Sequence, residues 1–172
     1  MIKRILMAAI AATATFMPVS AEVQPGTRSL LETLDENGVL VTVNPKSCRT
    51  GKAAGSYRWI GFQREMTLCI GHSFDAGDHD TVRHETVHAI QHCINAARKT
   101  SVDTPIIDEP LIFTKFIEEN LTSDEIEWVK SMYNESQWLT ELEAFAGAKA
   151  YTSSELEELF LEVCTLQQSF DG

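Results

Sequence analysis

From Thr81 to about Lys99 the chain carries neither proline nor glycine, and Val82, Val87, Ala89, Ile90, Ile94 and Ala97 recur at helical spacing on more than one side. A helix that is apolar on several sides has to be enclosed. The other segments of this 172-residue chain must therefore pack around it in one domain rather than build a second one. Asp80, at the end of a polar, acidic stretch that begins at His72, stands where the N-cap of such a helix belongs.

The segments before this helix supply a short helix and a sheet. Leu30, Leu31 and Leu34 predict an amphipathic helix over Thr27 to Glu36 that stops at Gly38. Val39 to Val43 is rich in β-branched residues and ends at Asn44-Pro45, the pattern of a strand and turn. Tyr57 to Phe62 and Met66 to Ile70 are further β-prone runs, and Gln63-Arg64-Glu65 between them predicts a hairpin. After the central helix, Thr100 to Pro110 reads as a linker and Leu111 to Glu119 as a helix. Thr122-Ser123-Asp124-Glu125 and Asn134-Glu135-Ser136-Gln137 both fit the capping-box pattern, which places helix starts just before Ile126 and Trp138. A last helix follows Thr152-Ser153-Ser154. The expected fold class is α+β, with a small antiparallel or mixed sheet beside the central helix and a helical C-terminal half.

Met1-Ile2-Lys3-Arg4, the apolar run Ile5 to Phe16 and the small residues Val19-Ser20-Ala21 have the form of an export signal cleaved after Ala21. The run is shorter than the ~20 residues that a membrane-spanning helix needs. Residues 22–172 are then expected as a single exported domain, periplasmic or extracellular, with no stable membrane insertion. All four cysteines lie in this part. An even count in an exported chain points to disulfides; Cys48 and Cys69 flank the β-prone stretch while Cys93 and Cys164 sit on helical segments, which favours the pairings 48–69 and 93–164. No Cys-x-x-Cys pair is present to suggest a thiolate metal site. The formal charge of −11 disfavours nucleic acid and anionic membrane surfaces as partners.

His84-Glu85-Thr86-Val87-His88 places two imidazoles four residues apart on the central helix, so both project from one face and can close on one ion. Neutral imidazole suits Zn2+. Glu85 leans to the adjacent side, where it can take a proton from a zinc-activated water without itself ligating. A catalytic zinc takes a third protein ligand and leaves its fourth position open. Position 94 is Ile94, so a third histidine six residues beyond His88 is excluded, and a carboxylate on a later helix is the natural candidate. Over Gln137 to Tyr151, Glu141 falls between an apolar face of Trp138, Leu142 and Phe145 and the small residues Ala144 and Ala148. A carboxylate turned inward there asks for a cationic partner. Glu143, on a different side of the same helix, is the alternate ligand.

These residues resemble the zincin metallopeptidases of the glutamate-liganded (gluzincin) branch. The likeness lies in His84 to His88 continued by Ala89-Ile90-Gln91, and in Glu141-Leu142-Glu143-Ala144, which is similar to the Glu-x-x-Ala segment of that branch. It covers roughly Gly55 to Ala97 and Glu141 to Ala148. The resemblance implies a zincin-like fold, His84, His88 and Glu141 as the zinc ligands, Glu85 as the catalytic base, and hydrolysis of peptide bonds in a peptide or protein substrate. Phe145 stands where many relatives carry an acidic residue that orients a ligand. A non-catalytic, zinc-stabilised binding module and an amidase of cell-wall peptides are the alternatives.

Other residues have weaker claims. His92, Tyr133 and Tyr151 are the side chains available to stabilise a developing oxyanion, and the strand around Met66 to Ile70 is expected to pair with an extended substrate. His72 and His79, with Asp75, Asp78 and Asp80, read as a solvated acidic loop rather than an accessory metal site. Trp59, Trp128 and Trp138 read as packing residues.

Overall fold

The computed structural model describes residues 23–49, 53–60, 63–71, 74–100 and 104–165. The expected export signal with its cleavage position after Ala21, and His72, lie outside them. The described residues are mostly helical and carry a small mixed sheet, an α+β arrangement. Helix α1 (Pro25–Glu36) begins with proline in its first turn, buries Thr27, Leu30, Leu31 and Leu34, and ends where Gly38 takes a φ of 81°.

Strands β1 (Val39–Val43), β2 (Gly55–Ile60) and β3 (Gln63–Leu68) form one sheet in the order β1-β3-β2. β1 runs parallel to β3 with Val39 opposite Arg64, and β2 runs antiparallel to β3 with Ile60 opposite Gln63. Gln63-Arg64-Glu65 is therefore strand and not turn. Arg64 shares the inner face with Met66 and Leu68, and its guanidinium reaches the Asn37 carbonyl at the end of α1, so its polarity hides a core-facing position. β3 is the middle strand, with both edges paired. The expectation that Met66 to Ile70 receives a substrate is overturned; the edge strand beside the central helix is β2.

Helix α2 (Ala76–Arg98) is the central helix and starts a turn earlier than the sequence suggests. Asp75, not Asp80, caps it: Asp75 Oδ1 accepts from the Asp78 amide at 3.0 Å while Asp78 Oδ2 accepts from the Asp75 amide at 3.0 Å. Asp80 instead pairs with Arg83 on the helix surface. Helices α3 (Pro110–Asn120), α4 (Ser123–Met132), α5 (Trp138–Ala150) and α6 (Ser153–Thr165) follow. Thr122 and Glu125 form the expected reciprocal cap, and Thr152 with Glu155 forms another before α6. Asn134 makes no such cap; residues Glu135–Gln137 form a single 3-10 turn leading into α5.

Two cores result. One lies between the sheet, α1, α2 and α6, around Leu30, Met66, Leu68, Ile90 and Phe160; the other lies between α3, α4 and α5, around Ile117, Leu121, Val129 and Leu142. α5 serves both, giving Ala144 to the first and Leu142 and Ala146 to the second. Gly147 lets it close on α2, since a Cβ there would sit 2.9 Å from Val87 Cγ2. The disulfides Cys48–Cys69 and Cys93–Cys164 form as expected from the sequence.

Candidate metal centre

His84 and His88 leave α2 on the same face, one turn apart, and their Nε2 atoms lie 3.1 Å from each other. α5 crosses α2 at Gly147, and this crossing delivers Glu141 to the pair: its Oε2 is 3.3 Å from His84 Nε2 and 3.5 Å from His88 Nε2. The three side chains form a group able to hold a metal ion. A tetrahedral ion with bonds of about 2.0–2.1 Å keeps its donor atoms about 3.3–3.4 Å apart, so the triangle has the right size for one. Glu141 Oε2 and His84 Nδ1 are buried without a hydrogen bond of proper geometry, and for the carboxylate oxygen a cation at that point removes the deficit.

The electrostatics follow from burial and mutual contact. Burial opposes ionisation of Glu141, but hydrogen bonds and charge from the two imidazoles outweigh it and hold the carboxyl down at about 2. His84 is pushed down by burial, which Glu141 only partly offsets. Burial also disfavours charge on His88, yet the hydrogen bond and charge of Glu141, aided by Glu85, raise it.

Glu85 stands apart from the triangle and is pushed up to about 7, chiefly by burial and further by Glu141; the His88 charge and the Tyr57 amide, which donates to it, work the other way. A Cβ on Gly55 would sit 2.7 Å from Glu85 Oε1 and 2.6 Å from Thr81 Cγ2. Glycine at that position of β2 is what admits Glu85. Glu143 does not join the group. It turns to the other side of α5, where its carboxylate accepts the amides of Ile106 and Ile107 at 2.7 and 2.8 Å. The expected linker is thus tied down at this point.

Two clefts flank the centre. The larger, about 640 Å³, is walled by His84 and Glu85 on one side and by Trp128, Met132, Tyr133 and Phe145 on the other. The smaller, about 240 Å³, lies by His88 and Glu141 and is lined by Tyr57, Arg58, Trp59 and His92. β2 passes both. Trp128 and Trp59 are about half exposed on these walls, and each packs one ring against a neighbour, Trp128 against Phe145 and Trp59 against His92. The Trp138 indole donates to the Tyr133 carbonyl at 2.9 Å.

Of the other candidates, Tyr133 lies near the centre and lines the larger cleft; burial and the charges of Glu141 and Glu85 raise its pKa. His92 lies in the smaller cleft against the Trp59 ring, with Nδ1 at 3.3 Å from Tyr57 Oη, and burial, aided by Arg64, lowers it to about 4. Tyr151 lies elsewhere, lining a separate cavity with Gln24 and Ser154. His79 bonds Thr27 Oγ1 at 2.9 Å, and Asp78 and Asp80 are engaged in the cap and with Arg83, so these residues form no second metal group among the described residues. The sequence assigned no role at the centre to Gly55, Trp128 or Gln91, because each acts through a segment distant in the chain.

Comparisons with family models, with curated proteins and with solved structures return no match for this chain.

Proposed function

We propose that the chain is an exported zinc-dependent endopeptidase with His84, His88 and Glu141 as ligands and Glu85 as general base. One observation carries this reading: a donor triangle of zinc dimensions beside a buried carboxylate that stays outside it. Zinc, when bound, supplies Lewis acidity that acidifies water and polarises a scissile carbonyl. Glu85, poised near neutrality, accepts the proton of the attacking water and returns it to the leaving amine. Tyr133 is the donor available to the developing oxyanion.

The position of β2 supports an extended peptide as substrate, because it is an edge strand of the sheet and runs past both clefts, where a peptide can be added alongside it. The larger cleft, walled by Trp128, Met132 and Phe145, favours a bulky apolar side chain beside the scissile bond.

Zinc content and casein cleavage of the purified protein test the reading. Glu85→Gln is expected to keep its zinc and lose activity by about 10²–10⁴-fold, and Glu141→Gln to lose both. Full activity in Glu85→Gln would end the proposal. Cleavage of peptidoglycan fragments with casein left intact would favour an amidase instead.

A further inference from the structure

Gln91, one turn beyond the histidine pair, is buried and its amide can face only one way. Gln91 Nε2 lies 2.9 Å from Glu143 Oε2 and 3.0 Å from the Thr140 carbonyl. A carboxylate oxygen and a carbonyl oxygen only accept here, so the NH2 group must be on that side. Gln91 Oε1 then faces His88 Nδ1 at 2.7 Å, and since an amide oxygen cannot donate, the hydrogen between them belongs to His88. A neutral His88 with its proton on Nδ1 has its lone pair on Nε2, the atom that points into the donor triangle.

Glu143 keeps this arrangement from turning over. Its carboxylate is enclosed and takes three N–H groups: Gln91 Nε2, and the amides of Ile106 and Ile107 from the segment after α2. Rotating the Gln91 amide would set its oxygen against both Glu143 and the Thr140 carbonyl, which is costly in a buried site. His84 has no such arrangement. Phe145 covers its ring, with centroids 4.2 Å apart, and its Nδ1 has no partner.

We propose that Gln91 and Glu143 are positioning residues: Glu143 orients the Gln91 amide, and Gln91 presets His88 in the tautomer that binds metal. The inference rests on the three-residue metal group and not on the peptidase reaction. It also gives Glu143, the alternate ligand in the sequence, a different task, two hydrogen bonds removed from His88.

The test uses the protein labelled with 15N-histidine and stripped of metal, at a pH where the imidazoles are neutral. Long-range 1H–15N spectra are expected to show His88 protonated on Nδ1 in the wild type, and a tautomer mixture in Gln91→Met. Zinc affinity, measured by chelator competition, is expected to fall about 10–100-fold in that variant. Glu143→Gln, which preserves volume, gives an independent comparison: it can donate to a rotated Gln91, so His88 should shift toward the Nε2-protonated form and zinc affinity fall at least about tenfold. A wild-type His88 protonated on Nε2, or wild-type zinc affinity in both folded variants, overturns the proposal. Wild-type protein that binds no zinc overturns the metal reading itself, a result distinct from normal zinc binding without activity.

Discussion

Glu85 and Glu141 sit at the same centre and are pushed in opposite directions, because Glu141 has two imidazoles in contact while Glu85 has mainly burial around it. The raised Glu85 carboxyl, at about 7 against an ordinary 4.5, gives a pH signature in metal-free protein. The fold binds this proton more tightly than the unfolded chain does. Its contribution to stability is therefore complete below about pH 4.5 and is lost as the pH rises through about 7. Glu85→Gln cannot lose a proton. The variant minus wild-type difference in unfolding free energy, from urea titrations of metal-free protein, should grow by on the order of 2–3 kcal/mol between pH 5 and 8.5. A difference independent of pH would show that Glu85 is solvated. At this scale the sequence was informative where chemistry is local: two histidines one turn apart and the acid between them need only a helix. Glu141 required the face of a second helix, and Gln91 was silent because its partners Thr140 and Glu143 lie on α5, far along the chain.

Elements meet at this centre through glycine. Gly147 brings α5 to within contact of Val87 on α2, and Gly55 brings β2 onto Thr81 and Glu85. Gly55→Ala would press its Cβ to 2.9 Å from Glu85 Cγ and closer to Glu85 Oε1, so Glu85, the proposed base, has to move while the His84, His88 and Glu141 group, carried by α2 and α5, stays in place. The expected result is at least about tenfold lower kcat with unchanged zinc content, since misplacement of a catalytic group by about 1 Å costs on the order of 100-fold; loss of zinc in this variant would mean that β2 supports the ligands as well. The helices were legible from their periodicity and, where a cap forms, from the cap, as Thr122 with Glu125 shows; α5 starts at Trp138 as expected but without the Asn134 cap that suggested it. Where signals overlapped, the sequence misled. Asp75 and Asp80 both suit a cap, and only the reciprocal bond to Asp78 selects Asp75. Gln63-Arg64-Glu65 looks like a turn, but Arg64 is drawn to the α1 carbonyl, and strand order, which decides the edge strands, is written in no local pattern.

On the scale of the whole molecule, α2 is held from three directions: by β2, by α5, and by α6 through Cys93–Cys164. No helix among the described residues is long and apolar enough to cross a membrane, and both disulfides fit the oxidising surroundings of an exported protein. The two bridges differ in reach. Cys93–Cys164 closes a separation of 71 residues and is buried in the first core, whereas Cys48–Cys69 closes 21. Chain entropy alone assigns about 4.4 kcal/mol to the longer loop and about 3.3 kcal/mol to the shorter. Burial widens the gap, because replacing enclosed sulfur by alanine also leaves unfilled space between α2 and α6. Cys93→Ala/Cys164→Ala should therefore lower the unfolding free energy by at least about 1 kcal/mol more than Cys48→Ala/Cys69→Ala in urea titrations at one pH and saturating zinc. Activity per folded molecule should show the reverse order. Cys69 donates its amide to the Ala54 carbonyl at 2.7 Å, next to the glycine that admits Glu85, so the shorter bridge steadies the edge of the cleft. If the long bridge proves the less stabilising of the two, α6 is secured by its apolar contacts, Leu156 and Phe160 foremost, and the covalent link adds little to the enclosure of α2.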